Sequence, residues 1–262
     1  MEIIAHRGGS FETPENTLDA FANAIALGAH KIELDIHLSK DGVPVVIHDD
    51  TLDRTTNASG PVREKTVADL RAVDAGDGAY VPQLSEVFDL VGDRVPLVLE
   101  FKAAEAVEPA IALIRAYPHL RWEGLSSLPA ARARLADEFP GIAPIATTFG
   151  SVHGVEGLRA LLEQYRASIP QAAFAALDAR VADFDLERDL AAARAEGART
   201  LLVFHTGIDR DLVETAHARG LQVGAWTVND PDEARRLLDA GTDALTTDDP
   251  RTMLALVATA AN

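Results

Sequence analysis

Residues 29–50 read AHKIELDIHLSKDGVPVVIHDD and belong to the most informative part of the chain, its first fifty residues. Its first eight residues predict a strand on which Glu33 and Asp35, two positions apart, leave the same face. An Asp-Gly turn follows, and the apolar Val-Pro-Val-Val-Ile returns as a second strand. If the turn consists of those two residues alone, the hairpin register pairs Asp35 with His48. The hairpin therefore predicts a histidine beside two carboxylates.

Two carboxylates on one strand face have an energetic consequence. At a separation of about 4 Å and an effective dielectric near 20, Glu33 and Asp35 would repel each other by about 4 kcal/mol. Solvent, protonation or a bound cation can relieve that repulsion, and oxygen-only ligands favour Ca2+ or Mg2+ over Zn2+. A hairpin edge with water-facing acids is the simpler alternative. His6 and Arg7, at the end of the first predicted strand, argue against it.

Outside this hairpin, predicted strands alternate with amphipathic helices along the chain. The strands cover residues 2–5, 29–36, 96–100, 122–125, 142–147, 200–204, 222–227 and 243–246. Helices between most of them cover residues 106–116, 128–139, 186–196, 211–219 and 232–240. A first helix is predicted to begin at Pro14, with Thr13 as a possible N-cap. Eight strands alternating with helices predict an α/β fold, the (β/α)8 TIM barrel.

The chain length agrees with one barrel, which typically needs about 250 residues. We therefore expect residues 1–262 to form a single catalytic barrel domain. The hairpin return strand, the loop and the short helix that follow strand two do not fit the strand–helix rhythm. We interpret residues 40–90 as a small insertion after strand two.

Composition and charge exclude several classes of protein. Hydrophobic residues make up 47% of the chain, which is typical of a globular protein, and no run of about 18 apolar residues indicates a membrane span. The net charge of −17 argues against nucleic-acid binding and against stable membrane association. A small-molecule substrate is the expected partner. The lack of cysteine and of signal-peptide features favours a cytoplasmic location.

Several motifs form an ordered set along nearly the whole chain. They are His6-Arg7-Gly8, Pro14-Glu15-Asn16-Thr17, Glu33-x-Asp35, KDGVPVVIHD over residues 40–49, Leu52-Asp53-Arg54-Thr55-Thr56, Leu99-Glu100-Phe101-Lys102, Trp226-Thr227-Val228-Asn229 and Thr247-Asp248-Asp249-Pro250. With this set the chain resembles the glycerophosphodiester phosphodiesterase (GDPD) family. The resemblance implies a (β/α)8 barrel that hydrolyses glycerophosphodiesters to glycerol 3-phosphate and an alcohol, using a divalent metal ion.

The resemblance also implies roles for single residues. These are an acid–base pair (His6, His48), metal ligands (Glu33, Asp35, Glu100), phosphate contacts (Arg7, Lys102) and a wall of the substrate pocket (Trp226). The residue chemistry agrees, because imidazoles with an unperturbed pKa near 6.5 exchange protons at neutral pH. A hard divalent ion, Ca2+ or Mg2+, is the expected cofactor.

The sequence alone leaves two alternative functions open. A related lysophospholipase D-type phosphodiesterase of the same barrel group would share the histidines and acids but should show an apolar rim that faces a membrane. A non-catalytic barrel that binds phosphorylated ligands is the alternative from another class. The sequence also leaves open the head group, the physiological metal, the oligomeric state, which histidine is the base, and whether a cyclic phosphate forms.

Further polar residues near these motifs have more than one interpretation. Asn16 either positions the phosphate or metal site or ties a loop. Asp49 either orients His48 or forms a loop salt bridge. His37 is expected to be structural, and His205, at the end of a strand, is a possible substrate contact.

Overall fold

Strands and helices alternate along the chain in the predicted order. The computed structural model describes residues 1–140, 144–148, 154–164, 166 and 171–260. The strands are β1 (Glu2–Ala5), β2 (Lys31–Leu38), β3 (Pro44–Val46), β4 (Leu97–Phe101), β5 (Trp122–Leu125), β6 (Pro144–Thr148), β7 (Thr200–Phe204), β8 (Gln222–Trp226) and β9 (Ala244–Thr247). The α-helices are α1 (Leu18–Leu27), α2 (Val67–Ala72), α3 (Leu84–Val91), α4 (Val107–Arg115), α5 (Pro129–Glu138), α6 (Gly154–Gln164), α7 (Gln171–Ala182), α8 (Leu186–Ala195), α9 (Arg210–Ala218), α10 (Pro231–Ala240) and α11 (Pro250–Ala260).

All eight predicted barrel strands are present, three with the predicted bounds and five with bounds shifted by one or two residues, and β3 is the return strand of the hairpin. The predicted strand over residues 142–147 is β6, and its residues 142 and 143 lie outside the described residues. The barrel strands pair in parallel and are separated by helices along the chain. This succession confirms the predicted (β/α)8 TIM-barrel class. Within the described ranges, none of the helices is long and apolar enough to cross a bilayer.

The chain divides into two compact units. The first contains residues 2–144 and 246–262. In it, β2 pairs in parallel with β1 and β4, and β4 pairs in parallel with β5. The C-terminal ends of β1, β2 and β4 therefore lie side by side. In the second unit, which covers residues 145–245, β7 pairs in parallel with β6 and β8. The boundaries predicted for one domain and for an insertion over residues 40–90 stay predictions.

The core of the first unit holds its strands in place. Fully buried side chains of β2 and β4 pack with the apolar faces of α1, α3 and α4. They are Ile32 and Leu34 from β2 and Leu99 and Phe101 from β4, and the helices contribute Phe21 and Phe88. Burying each such side chain stabilises the fold by about 1.5–3 kcal/mol relative to exposing it. A second, smaller cluster lies beneath the segment that follows the hairpin and consists of Val45, Ile47, Leu52, Val62, Leu70, Ala75 and Val81. That segment therefore has its own apolar anchor.

The predicted hairpin register is wrong by one residue. Ile47, and not His48, donates its backbone N–H to the Asp35 carbonyl oxygen, at 3.0 Å. The loop has three residues instead of two, because Gly42 adopts the left-handed conformation, with φ 80°, and the strands close one residue further out. Three-residue loops of this kind are a common hairpin connection. His48 consequently lies beyond the end of β3.

The first helix begins later than predicted, at α1. Its N-cap is Thr17 and not Thr13, and the Thr17 side chain accepts a hydrogen bond from the first turn of the helix. Asn16 has φ 57°, a left-handed conformation that does not continue a helix. Its side chain instead donates a hydrogen bond from Nδ2 to Asp35 Oδ2, at 2.8 Å. A polar contact of the candidate site thus decides where the helix starts.

Candidate active site

A tight turn after β1 positions the first two site residues. His6, Arg7 and Gly8 form one 3-10 turn, with φ 52° at Arg7 and φ 89° at Gly8. A Cβ atom on Gly8 would lie 2.6 Å from the Cβ of Ala20, so the close approach of this turn to α1 requires glycine. The turn directs the Arg7 backbone N–H to Glu33 Oε2, at 2.9 Å. The first strand is thereby tied to the acidic face of the second.

Three carboxylates converge at the ends of β2 and β4. Glu33 and Asp35 lie on one face of β2, and the parallel register places Glu100 of β4 beside Asp35. One oxygen from each lies within 4.8 Å of the others. Glu33 is 4% exposed and Asp35 1% exposed, so water does little to relieve the repulsion between them. The structure thus brings together the three residues predicted as metal ligands.

Two carboxyl groups of this triad have pKa values that are shifted in opposite directions. Burial, together with the charges of Asp35 and Glu100, raises the pKa of Glu33 well above its usual value. Burial alone would also raise the pKa of Asp35, but the charges of Lys102, His48 and Arg7 outweigh it and lower that pKa. Within the described part of the chain, Glu33 Oε1 is buried and has no hydrogen-bond partner. One oxygen of the triad therefore needs a cationic or donating partner.

Two basic side chains flank the carboxylates. Lys102 Nζ donates a hydrogen bond to Glu100 Oε1 at 3.0 Å and lies 3.4 Å from Asp35 Oδ1. Arg7 Nε lies 3.4 Å from Asp35 Oδ2. Burial alone would lower the pKa of Lys102, but the charges of Glu100 and Asp35 raise it. The raised pKa keeps Lys102 cationic at neutral pH. Both side chains lie close enough to the acids to contact an anion bound against the triad.

Each candidate catalytic histidine is oriented by a carboxylate. His6 Nδ1 lies 2.7 Å from Asp248 Oδ1, and His6 Nε2 lies 4.0 Å from Glu33 Oε2. His48 Nδ1 lies 2.6 Å from Asp49 Oδ1. Because an ionised carboxylate only accepts hydrogen bonds, each neutral ring carries its proton on Nδ1 and leaves Nε2 free. Both imidazoles are thus set in one tautomer.

The surroundings of His48 are defined by burial and by a second histidine. Burial lowers the pKa of His48, against the opposing effects of Asp35 and Asp49. His37 is buried and its Nε2 lies 3.1 Å from the backbone carbonyl oxygen of His48. His37 therefore has a structural role, as expected. Asp49 takes both of the roles considered for it, because it bonds His48 and also forms a salt bridge with Arg54.

Asp248 and Glu15 complete the candidate site, although neither is assigned a role there from the sequence. Asp248 is the partner of His6, and Glu15 accepts hydrogen bonds from Arg7 and Arg54. The sequence does contain a signal for both residues, because each belongs to one of the family motifs and Asp248 directly follows a strand. Their partners were not readable, since a hydrogen bond between residues 6 and 248 depends on the closed fold.

Trp226 and His205 lie in the second unit. Trp226 ends β8, is 38% exposed, and packs edge-on against Phe204 with ring centroids 5.6 Å apart. His205 follows β7, and its Nδ1 lies 2.7 Å from Glu233 Oε1. Hydrogen bonds from Arg236 lower the pKa of Glu233 to about 2, so this carboxylate is ionised at neutral pH. Both residues therefore lie at the C-terminal ends of their strands.

A hard divalent cation fits the donor set of the triad. Three carboxylates offer oxygen ligands, which Ca2+ and Mg2+ prefer. A positive charge placed between the carboxylates would give Glu33 Oε1 a partner and would lower the raised pKa of Glu33. Glu33, Asp35 and Glu100 are therefore the residues that could hold a metal ion. Parallel strands that end in an acid triad, two oriented imidazoles and two basic side chains have the groups that metal-dependent hydrolases of phosphate esters use.

Comparison with known proteins identifies the family. The glycerophosphoryl diester phosphodiesterase family matches residues 6–121 and 164–252, and the chain belongs to this family. A glycerophosphodiester phosphodiesterase of Caldanaerobacter subterraneus subsp. tengcongensis is 35% identical over 268 residues, which cover 97% of this chain and 97% of the relative. The predicted enzyme class, a phosphoric diester hydrolase, is thereby confirmed.

Solved structures agree with this assignment. An Oleispira antarctica phosphodiesterase, in complex with the product sn-glycerol-3-phosphate, matches with a TM-score of 0.79 and 25% identity, covering 98% of this chain and 96% of that chain. A glycerophosphodiester phosphodiesterase from Thermotoga maritima matches with a TM-score of 0.73 and 25% identity, covering 97% of both chains. These likenesses span the whole barrel fold.

Proposed function

We propose that this chain hydrolyses glycerophosphodiesters to glycerol 3-phosphate and an alcohol, with Ca2+ or Mg2+ as its cofactor. The observation that carries the proposal is the triad of Glu33, Asp35 and Glu100, the first two of them buried, beside the oriented ring of His6. The relatives named as glycerophosphodiester phosphodiesterases support the substrate class, as does the related structure that contains sn-glycerol-3-phosphate.

The triad and the basic side chains would divide the work of binding. Glu33, Asp35 and Glu100 would hold the divalent ion, which supplies positive charge to polarise a phosphoryl oxygen and to hold a nucleophilic oxygen. Arg7 and Lys102 would contact the phosphate, because both cations lie within 3.4 Å of Asp35 and can pair with a second anion placed against the triad. The Arg7 guanidinium suits this role, since its planar fork matches phosphate geometry.

The two histidines would exchange protons during the reaction. In our proposal His6 and His48 act through Nε2, because Nδ1 of each ring is engaged by a carboxylate. One ring, in its neutral form, removes a proton from the attacking hydroxyl or water, and the other, protonated on both nitrogens, donates its Nε2 proton to the leaving alcohol oxygen. General acid–base catalysis of this kind contributes about 10²–10⁴ in rate for each group.

The proposal extends to the pocket and to the compartment. Trp226 ends a barrel strand and leaves 38% of its surface exposed, which supports its role as a wall of the substrate pocket. The absence of cysteine from the chain supports a reducing compartment, the cytoplasm. We propose a small glycerophosphodiester as the partner, without stable membrane association.

Release of the alcohol from each substrate, and of glycerol 3-phosphate from the glycerophosphodiesters, tests the proposal. Purified protein is assayed with glycerophosphocholine, glycerophosphoethanolamine, a lysophospholipid and an aryl phosphodiester, each with chelator, Ca2+ or Mg2+. We expect the glycerophosphodiesters to be cleaved with either ion and to be spared in chelator. A preference for the lysophospholipid would favour the lysophospholipase D-type alternative, and binding without turnover would favour the non-catalytic one. Phosphorus NMR during turnover shows whether a cyclic phosphate forms.

Histidine variants test the proton-transfer roles. We expect His6→Ala and His48→Ala each to lower kcat by about 10²–10⁴-fold while the melting temperature stays near that of the wild type. His119→Ala is the matched control, because His119 is exposed and lies outside the site. Turnover at the wild-type rate in both site variants would remove the histidines from catalysis.

A further inference from the structure

A chain of ion pairs connects two candidate site residues through a side chain that has no role so far. Arg7 Nη1 donates a hydrogen bond to Glu15 Oε1 at 2.9 Å, and His48 Nδ1 lies 2.6 Å from Asp49 Oδ1. Arg54 joins these two pairs. Its Nη1 and Nη2 donate to Glu15 at 2.9 and 2.8 Å, and its Nε and Nη2 donate to Asp49 at 2.8 and 2.9 Å.

The loop that carries Arg54 is anchored on both sides of it. Leu52 is fully buried, and its backbone N–H donates to the Gly60 carbonyl oxygen at 3.0 Å. The backbone N–H of Gly60 in turn donates to Asp53 Oδ2 at 3.0 Å. The backbone beside Arg54 is therefore fixed, so its guanidinium is presented to both carboxylates without ordering a mobile loop.

An exposed salt bridge usually contributes little, and Arg54 is 47% exposed. Two features distinguish it from an ordinary surface pair. Its three guanidinium nitrogens make four hydrogen bonds to two carboxylates, a geometry that a lysine ammonium cannot reproduce. Each of those carboxylates, moreover, has a candidate site residue as its other partner. The value of the contact therefore lies in orientation rather than in stability.

We propose that Arg54 is a positioning residue that orients two site side chains at once, Arg7 through Glu15 and His48 through Asp49. The inference rests on the proposed function, because it assigns Arg54 to the phosphate contact and to the acid–base group of the same site. Arg54 itself touches neither the substrate nor the metal.

The consequence for His48 is a fixed tautomer. Hydrogen bonds from Arg54 hold the pKa of Asp49 well below its usual value, so Asp49 is an anion at neutral pH. An anionic Asp49 accepts the proton of His48 Nδ1 and leaves Nε2 for the reaction. Without Arg54, Asp49 and Glu15 are free to turn towards solvent, and the imidazole and the Arg7 guanidinium lose their fixed directions.

The test compares Arg54→Ala and Arg54→Lys with the control Arg251→Ala in the full-length protein. Arg251 forms a similar fork with Glu12, on an exposed surface and with no link to His48 or Arg7 in the described residues. kcat and KM are measured by glycerol 3-phosphate release, the melting temperature by calorimetry, and the His48 ring tautomer by long-range ¹H–¹⁵N NMR. The NMR measurement requires no turnover.

We expect both Arg54 variants to lose about 10–100-fold in kcat, a loss typical of groups that orient a ligand or catalytic side chain. Melting temperatures should change by less than about 4 °C. The His48 ring should pass from the Nδ1–H tautomer to a mixture, and the control should match the wild type. Asp49→Asn, which breaks one fork only, should show the same NMR change.

Three outcomes would overturn the inference: wild-type kinetics in Arg54→Ala, full rescue by lysine, or an unchanged His48 tautomer in Arg54→Ala. A wild-type protein that releases no glycerol 3-phosphate would refute the proposed function instead. The tautomer of His48 in the Arg54 variants would still decide whether Arg54 positions that ring.

Discussion

Replacing Glu33 by glutamine should stabilise the metal-free protein and destabilise its metal complex relative to the wild type. Glu33 is 4% exposed, and one of its carboxylate oxygens lies within 4.8 Å of a carboxylate oxygen of Asp35 and of Glu100. Glutamine keeps the shape of the side chain and an oxygen for the Arg7 backbone N–H, but it removes one negative charge. The substitution therefore isolates the electrostatic part of the interaction.

The magnitude follows from the geometry of the triad. Two unit charges 4.8 Å apart repel by about 3.5 kcal/mol in an effective dielectric near 20. Arg7 and Lys102, both close to Asp35, offset part of this repulsion. We therefore expect Glu33→Gln to raise the free energy of unfolding by about 1–3 kcal/mol at pH 8 in chelator. For a chain of this size that corresponds to a melting temperature higher by about 3–10 °C.

The gain should depend on pH in a defined direction. Because burial raises the pKa of Glu33 above its usual 4.5, the folded protein holds this proton more tightly than the unfolded chain does. The corresponding stability is fully present below the unfolded pKa and is lost as pH rises through the folded pKa. The difference between Glu33→Gln and the wild type should therefore be small near pH 4.5 and grow towards pH 8.

Calorimetry in chelator and in saturating Ca2+ or Mg2+ measures both effects. An ion at 100 times its Kd should stabilise the wild type by about 2.7 kcal/mol, and the variant, which lacks one ligand, by much less. Glu64→Gln is the matched control, since it removes the same charge from a side chain that is 62% exposed. A variant that melts below the wild type in chelator at pH 8 would show that charge repulsion at Glu33 does not destabilise the metal-free protein. Equal stabilisation of both proteins by the ion would show that Glu33 is not a ligand.

Three further substitutions test other parts of the site. Asn16→Ala should weaken divalent-cation affinity by about 10–100-fold, because Asp35 loses the side chain that orients it, and titration calorimetry that finds unchanged affinity would contradict this role. Asp248→Asn should lower kcat at least about tenfold by releasing the His6 tautomer, and wild-type kcat would show that the contact is only structural. Gly8→Ala should destabilise the fold by about 2–4 kcal/mol in urea unfolding, because its Cβ would lie 2.6 Å from the neighbouring helix; an unchanged midpoint would mean that the turn relaxes freely.

Local periodicity predicts the elements of this barrel because each strand and helix buries a face that its own sequence defines. Residues 2–5, 122–125 and 200–204 are strands with the predicted bounds. The ends of strands also identify the site, since in a parallel barrel polar residues at those positions gather at one rim. Glu33, Asp35 and Glu100 could therefore be placed together before the structure was known.

The wrong hairpin register and the wrong start of α1 have the same physical origin. In each case one residue adopts a left-handed backbone conformation that the sequence pattern does not reveal. Gly42 gives the hairpin a three-residue loop and moves the register by one position. Asn16 takes φ 57° because Asp35 holds its side chain, and it delays the start of α1. In each case a turn geometry or a tertiary contact sets a backbone conformation that the local pattern of apolar residues does not indicate.

The side chains that orient the two histidines are harder to predict, because their hydrogen-bond partners are either distant in sequence or not distinguished by the local sequence. Asp248 pairs with a residue 242 positions away, and no local pattern indicates that contact. Asp49 and Arg54 are near His48 in sequence, but charge pairing alone does not distinguish a solvent-exposed bridge from the double fork that Arg54 makes. Their roles depend on side-chain direction, which only the structure supplies.

The contact between His6 and Asp248 also has a consequence for how the enzyme is made. His6 leaves the ribosome first, and the carboxylate that orients it is synthesised 242 residues later. At about 5–20 residues per second, translation separates the two by about 12–50 s. A nascent chain therefore carries the three carboxylates of the triad and both imidazoles long before Asp248 can orient the His6 ring. Hydrolysis should begin only after Asp248 has been synthesised and has reached His6, so a nascent chain that lacks this residue stays inert towards the substrate.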